Sequence, residues 1–153
     1  MERSRDKIIA VRNAAALGLC RLQNSIDPDE EVLSYISVNI RCERNITIRQ
    51  IYASSIMLHA ITMASIIETL RDEELFIRVA MLKNLEEHSL IQQMSVELRR
   101  AVIHCLEDRN SVIVKAAESV IIKNWASKNS LFLILSLLEI EKDELAVCID
   151  SFI

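Results

Sequence analysis

Turn-making residues are almost missing from this chain: 153 residues contain one glycine, Gly18, and one proline, Pro28, far below ordinary usage. Strands and long loops need such residues, so their scarcity leaves helices joined by short connections. A single glycine also excludes a glycine-rich phosphate loop. Aromatic residues make up only 4%, leaving few rings on which bases or sugars could stack. The cysteines Cys20, Cys42, Cys105 and Cys148 are scattered without a Cys-x-x-Cys pair, and each sits in an apolar helical context where a thiol acts as a small hydrophobe. With no secretory signal ahead of them, they are expected to be reduced and intracellular. His59, His88 and His104 show no metal-ligand spacing with one another or with a cysteine. The longest uncharged run, Gln50 to Ile67, includes Gln50, Ser54, Ser55, His59, Thr62 and Ser65. That is too polar for a membrane span and predicts two helices meeting near His59 to Thr62. This inventory supports no catalytic centre, cofactor, metal or small-molecule substrate.

What is present is aliphatic. Hydrophobic residues make up 51% of the chain, mostly Ile, Leu, Val, Ala and Met, which suits helix-on-helix packing. The net charge is -4. Residues 1–50 carry 8 bases and 7 acids, whereas residues 51–153 carry 10 and 15. Neither half has the basic excess of a free-standing nucleic-acid binder, although a local basic strip is compatible with both.

Apolar periodicity predicts nine helices. The first runs from Lys7 to Gln23 with Val11, Ala15, Leu19 and Leu22 inward, and its small Ala14, Ala15 and Gly18 invite close approach of a neighbour. Asp27-Pro28-Asp29-Glu30 reads as a helix start, with Asp27 as cap, Pro28 at the first turn and Glu30 completing a capping box. The second helix then spans about Asp29 to Cys42, burying Val32, Leu33, Ile36 and Ile40. Asn45 caps a third helix to about His59, with Ile48, Ile51, Tyr52 and Ile56 inward. Further helices are expected at Met63–Arg71, Glu74–Glu87 (Ile77, Met81, Leu85 inward) and Met94–Glu107 (Val96, Val102, Ile103, Leu106). A helix capped by Asn110 or Ser111 continues through Trp125, burying Val114, Ala117 and Ile121, followed by Leu131–Ile140 and Lys142–Ile153.

Across these helices an aliphatic–base dipeptide recurs shortly after an acid. Asp6 precedes Val11-Arg12, Glu43 precedes Ile48-Arg49, Asp72 precedes Ile77-Arg78, and Asp108 precedes Val114-Lys115. The acid-to-base offsets are 6, 6, 6 and 7 residues, and the bases are 37, 29 and 37 residues apart. That period belongs to arrays of helix pairs, whose units must stack because none buries its apolar face alone. The predicted fold is therefore all-α, an α-solenoid of about four and a half helix pairs. Residues 1–153 form a single segment that starts and ends on a second helix, expected to be part of a longer superhelix. One role for Asp6, Arg12, Glu43, Arg49, Asp72, Arg78, Asp108 and Lys115 is a ladder of turn-stabilising ion pairs, each acid lying also near the equivalent base of the next pair. The other is phosphate binding by the bases. The freer bases Arg41, Arg44, Arg99, Arg100, Lys123 and Lys128 are either solvated helix faces or a strip that tracks phosphates in a salt-sensitive manner.

The repeat signature resembles HEAT repeats, helix pairs with an acid in the turn and Val-Arg opening the second helix. Within that class, four stretches in order are similar to the condensin complex subunit 3 family: VRNAAALGLCRLQ (Val11 to Gln23), RNITIRQIYASSI (Arg44 to Ile56), LRDEELFIRVAMLKNL (Leu70 to Leu85) and CLEDRNSVIVKAAESVIIKNW (Cys105 to Trp125). LFLILSLLEIE (Leu131 to Glu141) follows the last of them. The resemblance implies a non-catalytic subunit of condensin, the machine that compacts mitotic chromosomes, located in the nucleus on chromosomes, with the cytoplasm also open. It implies a grip on the kleisin subunit and, jointly with kleisin, on duplex DNA, with the SMC ATPase subunits as indirect partners. The acidic balance after residue 50 favours a different class, a HEAT adaptor that works on basic protein partners alone in transport or phosphatase assembly.

Overall fold

The computed structural model describes residues 2–23, 29–88, 90–127 and residue 134. It is all-helical, with no strand among the described residues. Seven α-helices follow in order: α1 Ile9–Arg21, α2 Glu30–Cys42, α3 Ile46–Ser55, α4 Met63–Thr69, α5 Leu75–His88, α6 Val96–His104 and α7 Ser111–Ser119. Short 3₁₀ turns occupy Glu2–Arg5, Ile91–Gln93 and Cys105–Glu107, and a π-helical stretch, Val120–Ala126, prolongs α7. The two helices expected at Leu131–Ile140 and Lys142–Ile153 lie outside the described residues, save residue 134.

The helix starts follow from their capping side chains. Asp29 accepts from the N–H groups of Glu31 and Val32, Asn45 from Ile48, Ser95 from Leu98 and Asn110 from Val112, each satisfying donors that have no intrahelical partner. Asp29 is thus the cap of α2, and the expected Asp27–Pro28 start lies outside the described residues.

Helix α3 ends at Ser55 rather than near His59. Side chains from elsewhere capture its last carbonyls: Asn84 donates to Ala53 (3.0 Å) and Ile56 (2.8 Å), and Gln23 donates to Ser55 (2.7 Å). The buried Thr62 hydroxyl then donates to the Met57 carbonyl (2.6 Å) and accepts from the His59 N–H (3.0 Å), closing the connection to α4. The uncharged run Gln50–Ile67 is therefore two helices, and no helix among the described residues is long and apolar enough to cross a membrane.

Two rows of helices result. In one, α1 packs on α3, α3 on α5, and α5 on α7; in the other, α2 packs on α4 and α4 on α6. Contacts of α2 with α3 and of α4 with α5 tie the rows together. One continuous cluster fills the space between them, from Ala16 through Leu85 to Trp125 and Ile134. Each fully buried aliphatic side chain contributes about 1.5–3 kcal/mol of transfer free energy.

The periodicity placed the cores of α2 and α5 correctly, with Val32, Leu33, Ile36, Ile40, Ile77, Met81 and Leu85 all buried; of the α3 set, Ile48, Tyr52 and Ile56 are buried and Ile51 is half-buried. Elsewhere the inward face differs. Leu22 lies beyond the end of α1 and is exposed, while Ala16 and Leu19 are the buried residues of that helix. In α6 and α7 Val102 and Ala117 are buried as expected, as is Ile121 just beyond, but they are joined by Leu98, Arg99, Ala101 and Ile113, while Val96, Ile103, Leu106 and Val114 are only half-buried. The small stripe expected to receive a neighbour is half open. Ala14 and Gly18 are exposed, and a Cβ added at Gly18 would meet nothing within 4 Å.

Candidate functional site

The recurring acids and bases meet across successive helix pairs. Arg12 on α1 pairs with Glu43, Arg49 on α3 with Asp72 at 3.3 Å, and Arg78 on α5 with Asp108. Each base reaches forward to the acid of the following pair, the reverse of the expected direction. The reason is in the turn itself. Each acid turns back on its own chain to accept the N–H two residues on: Asp6 from Ile8, Glu43 from Asn45, Asp72 from Glu74 and Asp108 from Asn110, at 2.8–2.9 Å. Its own base meets the backbone of the turn instead, Arg12 donating to the Asp6 carbonyl (2.9 Å) and Arg49 to the Glu43 carbonyl (3.2 Å). One guanidinium therefore holds its own turn and the next one together.

The ladder is not uniform. Glu43 accepts from both Nε (3.1 Å) and Nη2 (3.2 Å) of Arg12. The shorter Asp72 and Asp108 each reach one terminal nitrogen, and Nε of Arg49 and of Arg78 is buried without a partner. Burial alone would raise the Glu43 carboxyl, but hydrogen bonds from Asn45 and Arg12 and the Arg12 charge outweigh it, so its pKa lies below the usual carboxylate value. Lys115, fourth in the series, is exposed, with no ion pair among the described residues.

The six candidate partner-contacting bases separate. Arg41 pairs with Glu68 at 3.1 Å, and Lys123 pairs with Glu86 at 2.9 Å. Burial alone would raise the Glu86 carboxyl, but hydrogen bonds from Lys123 and Ser119 and the Lys123 charge outweigh it, so its pKa lies below the usual carboxylate value. Arg99 is buried, donating Nε to the Ile91 carbonyl at 3.1 Å, which corrects its expected place on an exposed strip. Arg100, one helical step away, is exposed, as is Arg44 in the turn before α3. Lys128 lies outside the described residues. A second set of cross-pair contacts had no recognisable sequence signal. Asn84 and Asn124 are buried, Asn84 holding the end of α3 and Asn124 donating to the Leu85 carbonyl of α5 at 3.0 Å. A lone asparagine in an amphipathic helix reads as a solvated position until its neighbour is known.

Among the described residues no three His, Cys, Asp or Glu side chains come together as a metal site. The thiols of Cys20, Cys42 and Cys105 are free. Burial pushes Cys20 and Cys105 up to about 11, Cys20 against a Ser55 hydrogen bond and Cys105 with help from the Asp108 charge, far from the depressed value of a reactive thiolate.

A cleft of about 930 Å³ opens on the outer flank of α2, lined in part by Arg5, Lys7, Tyr35, Val38, Cys42 and Arg44. The chain matches no family model, no curated protein and no solved structure.

Proposed function

We propose that this chain is a non-catalytic stacked helix-pair scaffold, an α-solenoid of the HEAT type, whose product is a partner-binding surface. The observation that carries this reading is the forward ion pair repeated three times, at sequence separations of 31, 23 and 30 residues. Recurrence of one contact between consecutive units is what a stacked array of similar steps would give. The order of the four condensin-like stretches extends the proposal to a condensin HEAT subunit that grips kleisin and, with kleisin, duplex DNA. Phosphate contacts would then come from Arg44 and Arg100 together with bases supplied by kleisin, since Arg41, Arg99 and Lys123 already have partners.

Those engaged bases favour a second reading, an adaptor for protein partners only. Co-purification with a kleisin segment, followed by duplex binding over a salt series, separates the two. A complex whose DNA affinity falls steeply with salt supports the condensin reading. A complex with no DNA affinity leaves the adaptor, and no complex with kleisin removes the condensin assignment.

A further inference from the structure

Helix α4 is flanked in its row by α2 on one side and α6 on the other, whereas among the described residues α2 has α4 as its one neighbouring helix in that row. Ser37 and Arg41 mark the α4 side of α2, bonding to Ser65 and Glu68. On the opposite flank Glu31, Ser34, Tyr35, Val38, Asn39 and Cys42 line the cleft. Their spacing of three and four residues makes one continuous stripe about 16 Å long. Apolar surface is open along it: Val38 is 51% exposed, Cys42 is exposed and Tyr35 is half-buried. Residues of the first 3₁₀ turn form its other wall, the Ser4 hydroxyl bonding to that of Tyr35, and the stripe is long enough to seat about three helical turns of another polypeptide.

Its charge is directional. At the end formed by the turns, Arg5, Lys7 and Arg44 are exposed and make no ion pair or side-chain hydrogen bond among the described residues. The acids beside them are engaged, Asp6 on the Ile8 N–H and Glu43 on Arg12 and the Asn45 N–H. Glu31 stands exposed at the far end. Three open cations face one open carboxylate a stripe's length away.

We infer that the α2 cleft docks an amphipathic helix of a separate partner polypeptide, with an apolar stripe against Tyr35, Val38 and Cys42 and acidic residues at the end beside Arg5, Lys7 and Arg44. This rests on the stacking order proposed above and is independent of the condensin assignment, so failure of kleisin or DNA binding leaves it standing. Helix-in-groove recognition needs apolar anchors at helical spacing for affinity and charge complementarity for orientation.

The test is fluorescence anisotropy on the whole 153-residue chain with a labelled helical peptide of about 12 residues carrying a Leu stripe and Glu residues at one end. Its scrambled and Lys-for-Glu counterparts serve as probes of pattern and charge. The acidic peptide should bind, with affinity falling as salt rises to about 0.3 M. Arg5→Glu with Arg44→Glu should weaken it by about tenfold or more, and Val38→Asp should do the same. All three positions are exposed, and unchanged circular dichroism and urea midpoints would verify the fold; Lys7→Glu is the substitute if a variant unfolds. Equal binding of the scrambled or Lys peptide, no binding, or indifference to the substitutions would overturn the proposal. So would a concentration-dependent dimer in sedimentation that Arg44→Glu dissolves, because the cleft would then hold a second copy.

Discussion

The ladder predicts that two ion pairs of similar length in this protein differ severalfold in energetic coupling. Arg49–Asp72 is 3.3 Å long with side chains 13% and 18% exposed, while Arg41–Glu68 is 3.1 Å long with side chains 45% and 55% exposed. At an effective dielectric constant near 20, the direct attraction in the ladder pair is about 5 kcal/mol. Desolvation of two mostly buried ions removes several kcal/mol of that, leaving a net coupling of about 1.5–2 kcal/mol. The exposed pair sits in a solvent-like dielectric and should couple by under about 0.5 kcal/mol. Double-mutant cycles read both values from urea unfolding. Arg49→Met with Asp72→Asn suits the ladder, because asparagine keeps the acceptor used by the Glu74 N–H. Arg41→Met with Glu68→Gln suits the surface. The Arg49→Met variant alone also strands the Glu43 carbonyl, so it should lose about 2–3 kcal/mol, or roughly 4–12 °C in Tm for a chain of this size. Raising salt to about 0.5 M should abolish the surface coupling and spare most of the ladder coupling. Equal couplings, or a ladder coupling erased by salt, would refute the claim that these pairs lock register.

Four further outcomes follow from the same geometry. Asp72→Glu and Asp108→Glu should each gain about 0.5–1.5 kcal/mol by supplying a second oxygen to the orphaned Nε of Arg49 or Arg78, measured as a raised urea midpoint; a loss would mean the turn does not tolerate the extra methylene. Asn84→Ala strands the Ala53 and Ile56 carbonyls and should cost about 3–5 kcal/mol, with hydrogen exchange rising first at the end of α3. Gly18→Ala meets open space in mid-helix and should stabilise by about 0.5–1 kcal/mol in thermal unfolding. Because the folded-state pKa of Glu43 is depressed, its contribution is full above its unfolded value near 4.3 and is lost as pH falls through the lower folded value. Glu43→Gln should therefore flatten the acid limb of stability against pH, and an unchanged slope would remove Glu43 from that limb.

Local chemistry made much of this protein readable without coordinates. Scarce turn residues and 3.6-residue periodicity specify helices, and Asn45 and Asn110 cap them through bonds made within a few residues of themselves. The same locality identifies Asp6, Glu43, Asp72 and Asp108 as turn acids, because each bonds the N–H two residues on. Whatever depends on residues beyond the neighbouring helical turn was settled by tertiary packing alone. The forward direction of the ion pairs, the burial of Arg99 beside exposed Arg100, and the shortening of α3 by Asn84 and Gln23 are all of this kind. So is the open flank of α2, since a half-apolar stripe such as Tyr35–Val38–Cys42 reads identically whether a neighbour covers it or not. Backbone propensity acts over one or two helical turns, whereas partner choice for a long polar side chain is decided by the helix that arrives beside it.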